Sequence, residues 1–551
     1  MPILKFKNGE WCEMTPEEIK QEFEIYLHLP RHSKFIIHHS SFNMHGLSKS
    51  KYTSFRKCPK CLWLGAYKPE EQVIDPSTQA RFDAGTSVGD LAMGLFGPYI
   101  DVTDLTADGR LDIKAMLERT QQCLNDGTEN ICEAAFSYQG CYCAVDILRK
   151  TDNGYAIYEV KSSTSADKEV YAQDVAFQKW VLTQCGVNVA GTYLVCINNQ
   201  YVRQGALDIH QLFSINDISK AVEAEYPQVA ANCCKAKAVL DNPVEPAEPI
   251  GPHCHEPYGC GFMSYCMRQC GIPDNEPTVF DLYRGSFDKQ LEHVHNGIVT
   301  FPDIVKSGVK LTPMQKMQVE CTMHGTTHID KVALREFLNT LNYPIYHLDF
   351  ETMQPVVPPF DGTHPYQQIP FQYSLHIEHA DGRLEHREFL GDSVNDPQRA
   401  LAEQLCRDIP QNACVTAYNK KFECGRLNEF AETFPDLSAH LLSISNHIID
   451  LLTPFQKGYC YYPAMGGGFS IKAVLPALFP NDPELDYHNL EGSVHNGGEA
   501  MDIYPRIATM SPSEQAAARE SLLRYCELDT FAMVKVLGKL RELAGKDGLC
   551  G

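Results

Sequence analysis

Asp349 and Glu351 stand two apart in the apolar run IYHLDFE, residues 345–351. In a strand that spacing sends both carboxylates to one face, where they can share a cation. Left bare among apolar neighbours they would cost several kcal/mol, on the order expected of buried unpaired charge; an exposed strand end is the plain alternative. Farther along, AYNKKFECGRL sets Asn419 at a strand end and Glu423 on the helix that follows. RYCELDTFAM sets Tyr525 and Asp529 four apart, on one face of a helix. Four carboxylates and a phenol from distant segments are the parts of a two-metal phosphodiesterase centre. One cation sharpens a water, and a second, about 4 Å away, stabilises the leaving 3′ oxygen. Tyr525 would orient the attacking water. Asp450, in HIIDLL, is a further acid near this set and reads as a strand-end or capping aspartate.

A second group lies in the N-terminal half. Asp146 in CAVDIL is followed thirteen and fifteen residues later by Glu159 and Lys161 in YEVKSS. Glu159 and Lys161 share one strand face, and a hairpin sets Asp146 beside them. Two acids there can hold a divalent ion while the ammonium lowers the pKa of a water or offsets phosphate charge. Glu133, two strands back, and Asp174 with Gln178 on the next helix would complete the site. A surface salt bridge produces the same spacing, so the pattern by itself has low specificity.

Thiols form the third group. HCHEPYGCGFMSYCMRQC holds Cys254, Cys260, Cys266 and Cys270, and FRKCPKC holds Cys58 and Cys61. Three late thiolates and one early one can close a four-cysteine site, which either zinc or a 4Fe-4S cluster accepts. Free buried thiols are the alternative in a chain with 22 cysteines. A filled site would tie residues near 58 to residues near 260, with Phe262 and Tyr265 packed around it, and so restrict the unfolded chain.

The elements that must position these groups are legible in outline. From Leu47 a helical pattern runs through Tyr52, Phe55, Leu62 and Trp63, capped by Ser48 or Ser50 and interrupted at Pro59. Residues 131–148 read as two strands about Gln139-Gly140, and a turn at Asp152-Asn153-Gly154 leads to the strand YAIYEV. A helix over Asp174 to Leu182 follows. DNPVEPAEPIGP, residues 241–252, is a Pro-rich connector. Helices fill residues 275–340, with starts at Thr312-Pro313 and Asp330. Then come a three-strand meander (IYHLDFE, FQYSLHIEH, REFLGD), a helix over Asp396 to Asp408, the strand CVTAYN and another helix. Such alternation predicts a mixed α/β sheet.

These motifs carry three resemblances. LDFET, YNKKFE and YCELD resemble the three motifs of DnaQ-like 3′-5′ exonucleases of the Tyr type, over roughly 190 residues. The resemblance implies Asp349, Glu351, Glu423 and Asp529 as metal ligands and Tyr525 as the water-positioning group, in an RNase H-like mixed sheet flanked by helices. Glu423 stands where the second motif has Asp, and FSIKAVLPAL resembles the helix these nucleases use after that strand. AVDILRK, YEVKSS and DVAFQKW resemble motifs II to IV of RecB-like PD-(D/E)XK nucleases, which implies a restriction-endonuclease-like domain with Asp146, Glu159, Lys161 and Gln178 at its site. GTSVGD departs from that family, with Gly89 in place of a metal-binding histidine and Asp90 following. The cysteine arrangement resembles iron-sulfur RecB-like nucleases of CRISPR adaptation and helicase-nuclease systems. It implies Cys58, Cys254, Cys260 and Cys266 as the ligands of a 4Fe-4S cluster, zinc being the alternative, and leaves Cys61 and Cys270 over. The order CPKCLWL, nuclease core, cysteine cluster and YPIYHLDFET resembles a bacterial family of unknown function that fuses both nuclease types, over most of residues 47 to 540.

Composition sets the bounds. A chain of 551 residues, 44% hydrophobic, has length for two or three domains. The expected division is an extension of unassigned role over 1–45, the iron-sulfur PD-(D/E)XK domain over 46–272, a helical bridge over 273–340 and the DnaQ-like domain over 341–551. A formal charge of -22 argues against general polyanion coating, so nucleic acid must meet local basic patches or bound metal. Many cysteines without a signal peptide, and no apolar run of about 18 residues, predict a cytoplasmic protein with no membrane span. The expected activity is Mg2+- or Mn2+-dependent hydrolysis of DNA, single-stranded or end-bearing. A DNA-binding scaffold with one or both sites inactive is the rival.

Overall fold

The computed structural model describes residues 46–74, 85–165 and 168–545, and the backbone of a short antiparallel hairpin, Leu4–Lys7 with Glu10–Glu13. The remainder of the expected 1–45 extension lies outside the described residues. Two larger sheets carry the candidate sites, one of seven strands and one of five, with helices packed on them in a mixed α/β arrangement.

The first sheet begins at β1 (Leu47–Ser48). Ser48 caps α1 (Lys49–Lys57) by accepting the Lys51 N–H at 3.3 Å. The helical pattern interrupted at Pro59 is two helices. Pro59 opens α2 (Pro59–Tyr67), in the first turn where its missing N–H costs no helical bond. There follow β2 (Ile100–Asp101), α3 (Ile113–Asp126), β3 (Asn130–Tyr138), β4 (Cys141–Thr151), β5 (Gly154–Lys161), α4 (Lys168–Gln184), β6 (Val189–Ile197), β7 (Phe213–Asp217) and α5 (Ser219–Leu240). The strands lie in chain order from β2 to β7, and β1 pairs with β4 alone. Gln139 and Gly140, at φ 47° and 75°, supply the left-handed pair that a tight β3–β4 hairpin needs. The crossover through α4 makes β5 and β6 parallel. One sheet face buries Phe136, Val145 and Ile157 against Phe177, Val181 and Leu182 of α4, and the other buries Ile147, Tyr158 and Val195.

After the Pro-rich connector come α6 (Met263–Gln269), α7 (Phe287–His295), α8 (Phe301–Ser307), α9 (Pro313–His324), β8 (His328–Ile329) and α10 (Lys331–Leu338). Thr312 with Gln315 forms a capping box at α9, and Asp330 caps α10. This stretch is not one unit. Val279, Phe301, Ile304 and Val319 share a small core of their own, whereas Leu334 and Leu338 of α10 enter the core of the C-terminal sheet.

That sheet contains β9 (Ile345–Met353), β10 (Ile369–Glu378), β11 (Leu384–Leu390), β12 (Cys414–Ala417) and β13 (Ile448–Asp450), in the order β11-β10-β9-β12-β13. β9 is antiparallel to β10 and parallel to β12. Alternation along β9 sorts its side chains. Tyr346, Leu348 and Phe350 join an apolar core with residues of α11 (Gln398–Asp408), α12 (Lys421–Thr433) and α13 (Ser438–Asn446). His347, Asp349 and Glu351 point the other way, toward the 33-residue helix α16 (Pro512–Ala544), whose start is fixed by a Ser511–Glu514 capping box. β14 (Cys460–Tyr461) pairs with β8, and α14 (Ile471–Leu478) and α15 (Gly497–Ile503) complete that side. No helix among the described residues is long and apolar enough to cross a membrane.

Candidate active site

A strand of alternating register explains how the first two acids meet. Asp349 lies opposite Ser374 and Glu351 opposite Gln372, with a register break immediately after Glu351. Tyr525 and Asp529, one turn apart on α16, face them. Cys526 between these two sits with Sγ 4.0 Å from Asp349 Oδ2, and one ligating atom each of Asp349, Glu351 and Cys526 lie within 4.8 Å of one another. Glu423, in the first turn of α12, is 2% exposed, and its Oε2 has no hydrogen-bond partner.

Asp349 feels the charge of all three of the other acids. Burial, then the charges of Asp529, Glu351 and Glu423, push the Asp349 carboxyl well above its usual range. Burial and Asp529 do the same to Glu351, opposed by Lys472. Burial raises Asp529 to about 6, held back by the Tyr487 hydroxyl, Lys472 and Tyr525. Burial, with Asp450 adding to it, takes Glu423 to about 8. Each acid suffers from desolvation and, in most cases, from its neighbours, and Lys472 is the cation acting on Glu351 and Asp529. Asp450, whose charge reaches Glu423, accepts the N–H of Asn419 at 2.9 Å and of Leu452 at 3.0 Å.

Two residues here carry no motif signature. Tyr487 donates to Asp529 Oδ1 at 2.5 Å, and Lys472 Nζ stands 5.4 Å and 5.7 Å from the rings of Tyr487 and Tyr525. Both line an open cleft of about 950 Å³ whose walls include Leu475, Phe479, His488 and His495. Lys472 lies within the FSIKAVLPAL helix, so its position was available to a reader asking which cation serves the acids. Tyr487 sits in an irregular segment, where no periodicity announces it.

The N-terminal group also assembles, with a different charge balance. β4 and β5 pair from Ile147–Tyr158 to Thr151–Gly154, and the ladder ends before Asp146 and Glu159. Asp146 accepts the Val160 N–H at 2.6 Å. Glu133 falls between two ladder pairs that bracket Asp146, at φ 53°, a left-handed conformation costly for a side-chain-bearing residue. Glu159 is 1% exposed and fully engaged. Oε1 accepts Lys49 Nζ at 2.7 Å and Lys161 Nζ at 2.8 Å, while Oε2 accepts Gln178 Nε2 at 2.7 Å. Lys161 also reaches Asp174 at 3.2 Å. Burial, which would raise Glu159, is outweighed by Lys161 and Lys49, and the carboxyl falls to about 2. Burial lifts Asp146 to about 6 and, with the Asp146 charge, Glu133 to about 7. Lys49, on α1 and 110 residues before Glu159, escaped the sequence reading because nothing local marks it.

Cys58, Cys254, Cys260 and Cys266 gather where α2 meets the segment before α6, around one pocket that also takes in Lys57, Lys60 and Phe262. Cys61, left over by the motif, belongs there as well, its Sγ 4.0 Å from that of Cys260. Cys270 is exposed. Among the described residues no three of these thiols come within 4.8 Å of one another.

Residues 346–470, which carry Asp349, Glu351 and Glu423, match the family described as Domain of unknown function (DUF2779). That stretch ends before Lys472, Tyr487, Tyr525 and Asp529, so one of the four acids lies C-terminal to it. The chain is also similar to Uncharacterized protein UU173 of Ureaplasma parvum serovar 3, 26% identical over 213 residues, which are 34% of this chain and 30% of that protein. A second relative is Uncharacterized protein MG366 of Mycoplasma genitalium, 22% identical over 227 residues, 38% of this chain and 34% of that protein. The chain thus spans about a third of the length of the curated relatives it matches.

Proposed function

We propose that this chain is a divalent-metal-dependent nuclease that hydrolyses DNA from a 3′ end at the centre formed by Asp349, Glu351, Glu423, Asp529 and Tyr525. One observation carries the reading: Glu351, Glu423 and Asp529 are buried and Asp349 is half-buried, and Asp349 feels the charge of the other three with Lys472 the cation acting on Glu351 and Asp529. Oxygen donors of this number suit Mg2+ or Mn2+, and burial of unpaired acids is the state a bound cation relieves. Such an ion supplies Lewis-acid stabilisation of phosphoryl and leaving oxygens. The chain's own groups do the rest. Tyr525 positions a water, Tyr487 fixes the Asp529 carboxylate, Lys472 offsets phosphate charge, and the cleft beside Tyr487 has apolar walls for a terminal base. The mixed sheet supports the DnaQ-like reading, with the first motif on β9 facing the third on α16 and the second on α12, which packs on the other face of the sheet.

For the N-terminal group we read a RecB-like site in which Asp146 and Glu133 are the acids with capacity to spare. Both oxygens of Glu159 are occupied by lysines and an amide, which favours a phosphate-binding platform over a second cutting centre. For the cysteines we read a 4Fe-4S cluster with zinc as the alternative: the one close pair among these thiols, Cys61 and Cys260 at 4.0 Å, is near the spacing of about 3.8 Å on zinc, but no third thiol among the described residues joins it. The test is cleavage of single-stranded DNA labelled at either end, with Mn2+. Release of 3′ nucleotides, abolished by Asp349→Ala and kept by Asp146→Ala, is the expected result. Undiminished cleavage by the double variant would refute the assignment, and metal-independent DNA binding without cleavage would replace it with the scaffold.

A further inference from the structure

We propose that His376, His386 and Glu527 bind one first-row divalent transition ion, zinc by preference, at a site separate from the carboxylate centre. The inference does not rest on the nuclease reading. His376 of β10 and His386 of β11 are cross-strand partners with ring centroids 4.6 Å apart. Glu527 of α16 comes to them, with Oε1 3.7 Å from His386 Nδ1, and one ligating atom of each of the three lies within 4.8 Å of the others.

The hydroxyls behind the rings hold one nitrogen of each. Thr530 Oγ1 stands 3.1 Å from the Glu527 carbonyl, 2.7 Å from Ser374 Oγ and 2.8 Å from His376 Nδ1, and Ser374 Oγ stands 2.9 Å from His386 Nε2. With Thr530 donating to the Glu527 carbonyl, the chain runs from His386 Nε2–H to Ser374, from Ser374 to Thr530, and from His376 Nδ1–H to Thr530. In that arrangement the lone pairs of His376 Nε2 and His386 Nδ1 are free for an ion, and the latter faces Glu527. Fixing the far nitrogen of each ring by an acceptor is how metal-ligating histidines are oriented.

Two neutral imidazoles and a carboxylate select zinc over Mg2+, and three protein ligands leave a coordination position open. It faces a cleft of about 610 Å³ that also takes in Asn489, Glu491 and Arg524. Ligand atoms on a tetrahedral ion stand about 3.3 Å apart, a closure that rotation of the exposed Glu527 side chain supplies. The ion would pin the edge strand β11 to α16 two residues from both Tyr525 and Asp529.

The test is equilibrium dialysis of the full-length protein against Zn2+ with excess Mg2+ present, followed by Co2+ substitution. The expected result is one ion per chain whose cobalt form has visible d–d bands without thiolate charge transfer. That uptake should weaken at least tenfold in His386→Ala and in Glu527→Gln, and persist in Asp349→Asn and Cys260→Ser. Glu527 is on the surface, so its variant tests the site even if the histidine variant misfolds. Unchanged uptake in Glu527→Gln, or loss in Asp349→Asn with retention in the other two, overturns the proposal. Because dialysis reads no cleavage, its failure and that of the nuclease assignment are separable.

Discussion

Replacing Glu423 by Gln should make the metal-free protein more stable at pH 8 and destroy its activity. Burial lifts this carboxyl from the ordinary 4.5 to about 8, and its Oε2 has no partner. A folded-state pKa above the unfolded one means the native protein binds the extra proton, so its stability is full below pH 4.5 and falls as pH rises toward 8. At about 1.4 kcal/mol per pH unit the loss by pH 8 is on the order of 4 kcal/mol. Gln removes that loss but leaves an amide N–H unpaired, which costs about 1–3 kcal/mol. The net gain of about 2 kcal/mol corresponds to roughly 4–8 °C for a unit of 150–250 residues. Thermal melts of chelated protein at pH 8 and pH 5 measure it. The parent should melt higher at pH 5 than at pH 8, and the variant's advantage should vanish or reverse at pH 5. With Mn2+ the order at pH 8 should invert, and cleavage should fall by about a hundredfold or more, since a metal-held charge is worth several kcal/mol. A variant that melts below the parent at pH 8 without metal would show that Glu423 is not an uncompensated acid, and the case for a cation there would fail.

Tyr487→Phe removes the 2.5 Å hydrogen bond that holds down Asp529, so the acid limb of the pH–rate profile should move to higher pH. Mn2+ affinity should weaken about tenfold, as for a charge-assisted bond of about 1.5–3 kcal/mol; an unmoved profile would remove Tyr487 from the site. Lys49→Met leaves Glu159 with Lys161 as its one lysine partner, beside Gln178. It should lower denaturant stability by about 1–3 kcal/mol, the cost of unpairing part of a buried ion network, and an unchanged midpoint would contradict the pairing. Cys260→Ser should abolish iron content in anaerobically purified protein and expose residues 241–272 to limited proteolysis; full iron retention would exclude this thiol as a ligand.

Much of the fold was legible because its local chemistry is unambiguous. Gln139-Gly140 forces a hairpin, Thr312-Pro313 and Asp330 open helices, and alternation in IYHLDFE separates an apolar face from an acidic one. The pairings of distant residues were not legible. Pro59 reads as a break or as a start with equal ease, and only packing of α2 decides. Lys49 and Lys472 look like surface lysines until the sheet brings buried acids to them. Tyr487 lies in an irregular stretch whose position is set by the cleft and not by any period. Cys61 seemed surplus because spacing gives no distance, and the fold sets it against Cys260.

The two sheets are joined at a place that links their sites physically. Strand β9 delivers Asp349 and Glu351, and the segment that leaves it, residues 354–368, folds onto the first sheet before returning as β10. Arg203 Nη1 donates to the carbonyls of Pro358 at 3.0 Å and Pro359 at 2.8 Å, and Asp361 accepts the Gly205 N–H at 2.8 Å. Tyr366 donates to the Ser162 carbonyl, one residue past Lys161, while Val356 and Val357 pack on the face that holds Ile147 and Tyr158. A chain segment pinned at both ends by strands bearing site residues transmits displacement, because packed interiors shift as units and do not stretch. The register break after Glu351 falls two residues before the end of β9, where Thr352 and Met353 still pair with Pro370 and Ile369. The strand end that carries Glu159 and Lys161 is thus tied to the strand that carries Glu351 through the Tyr366–Ser162 hydrogen bond and the intervening residues of this segment.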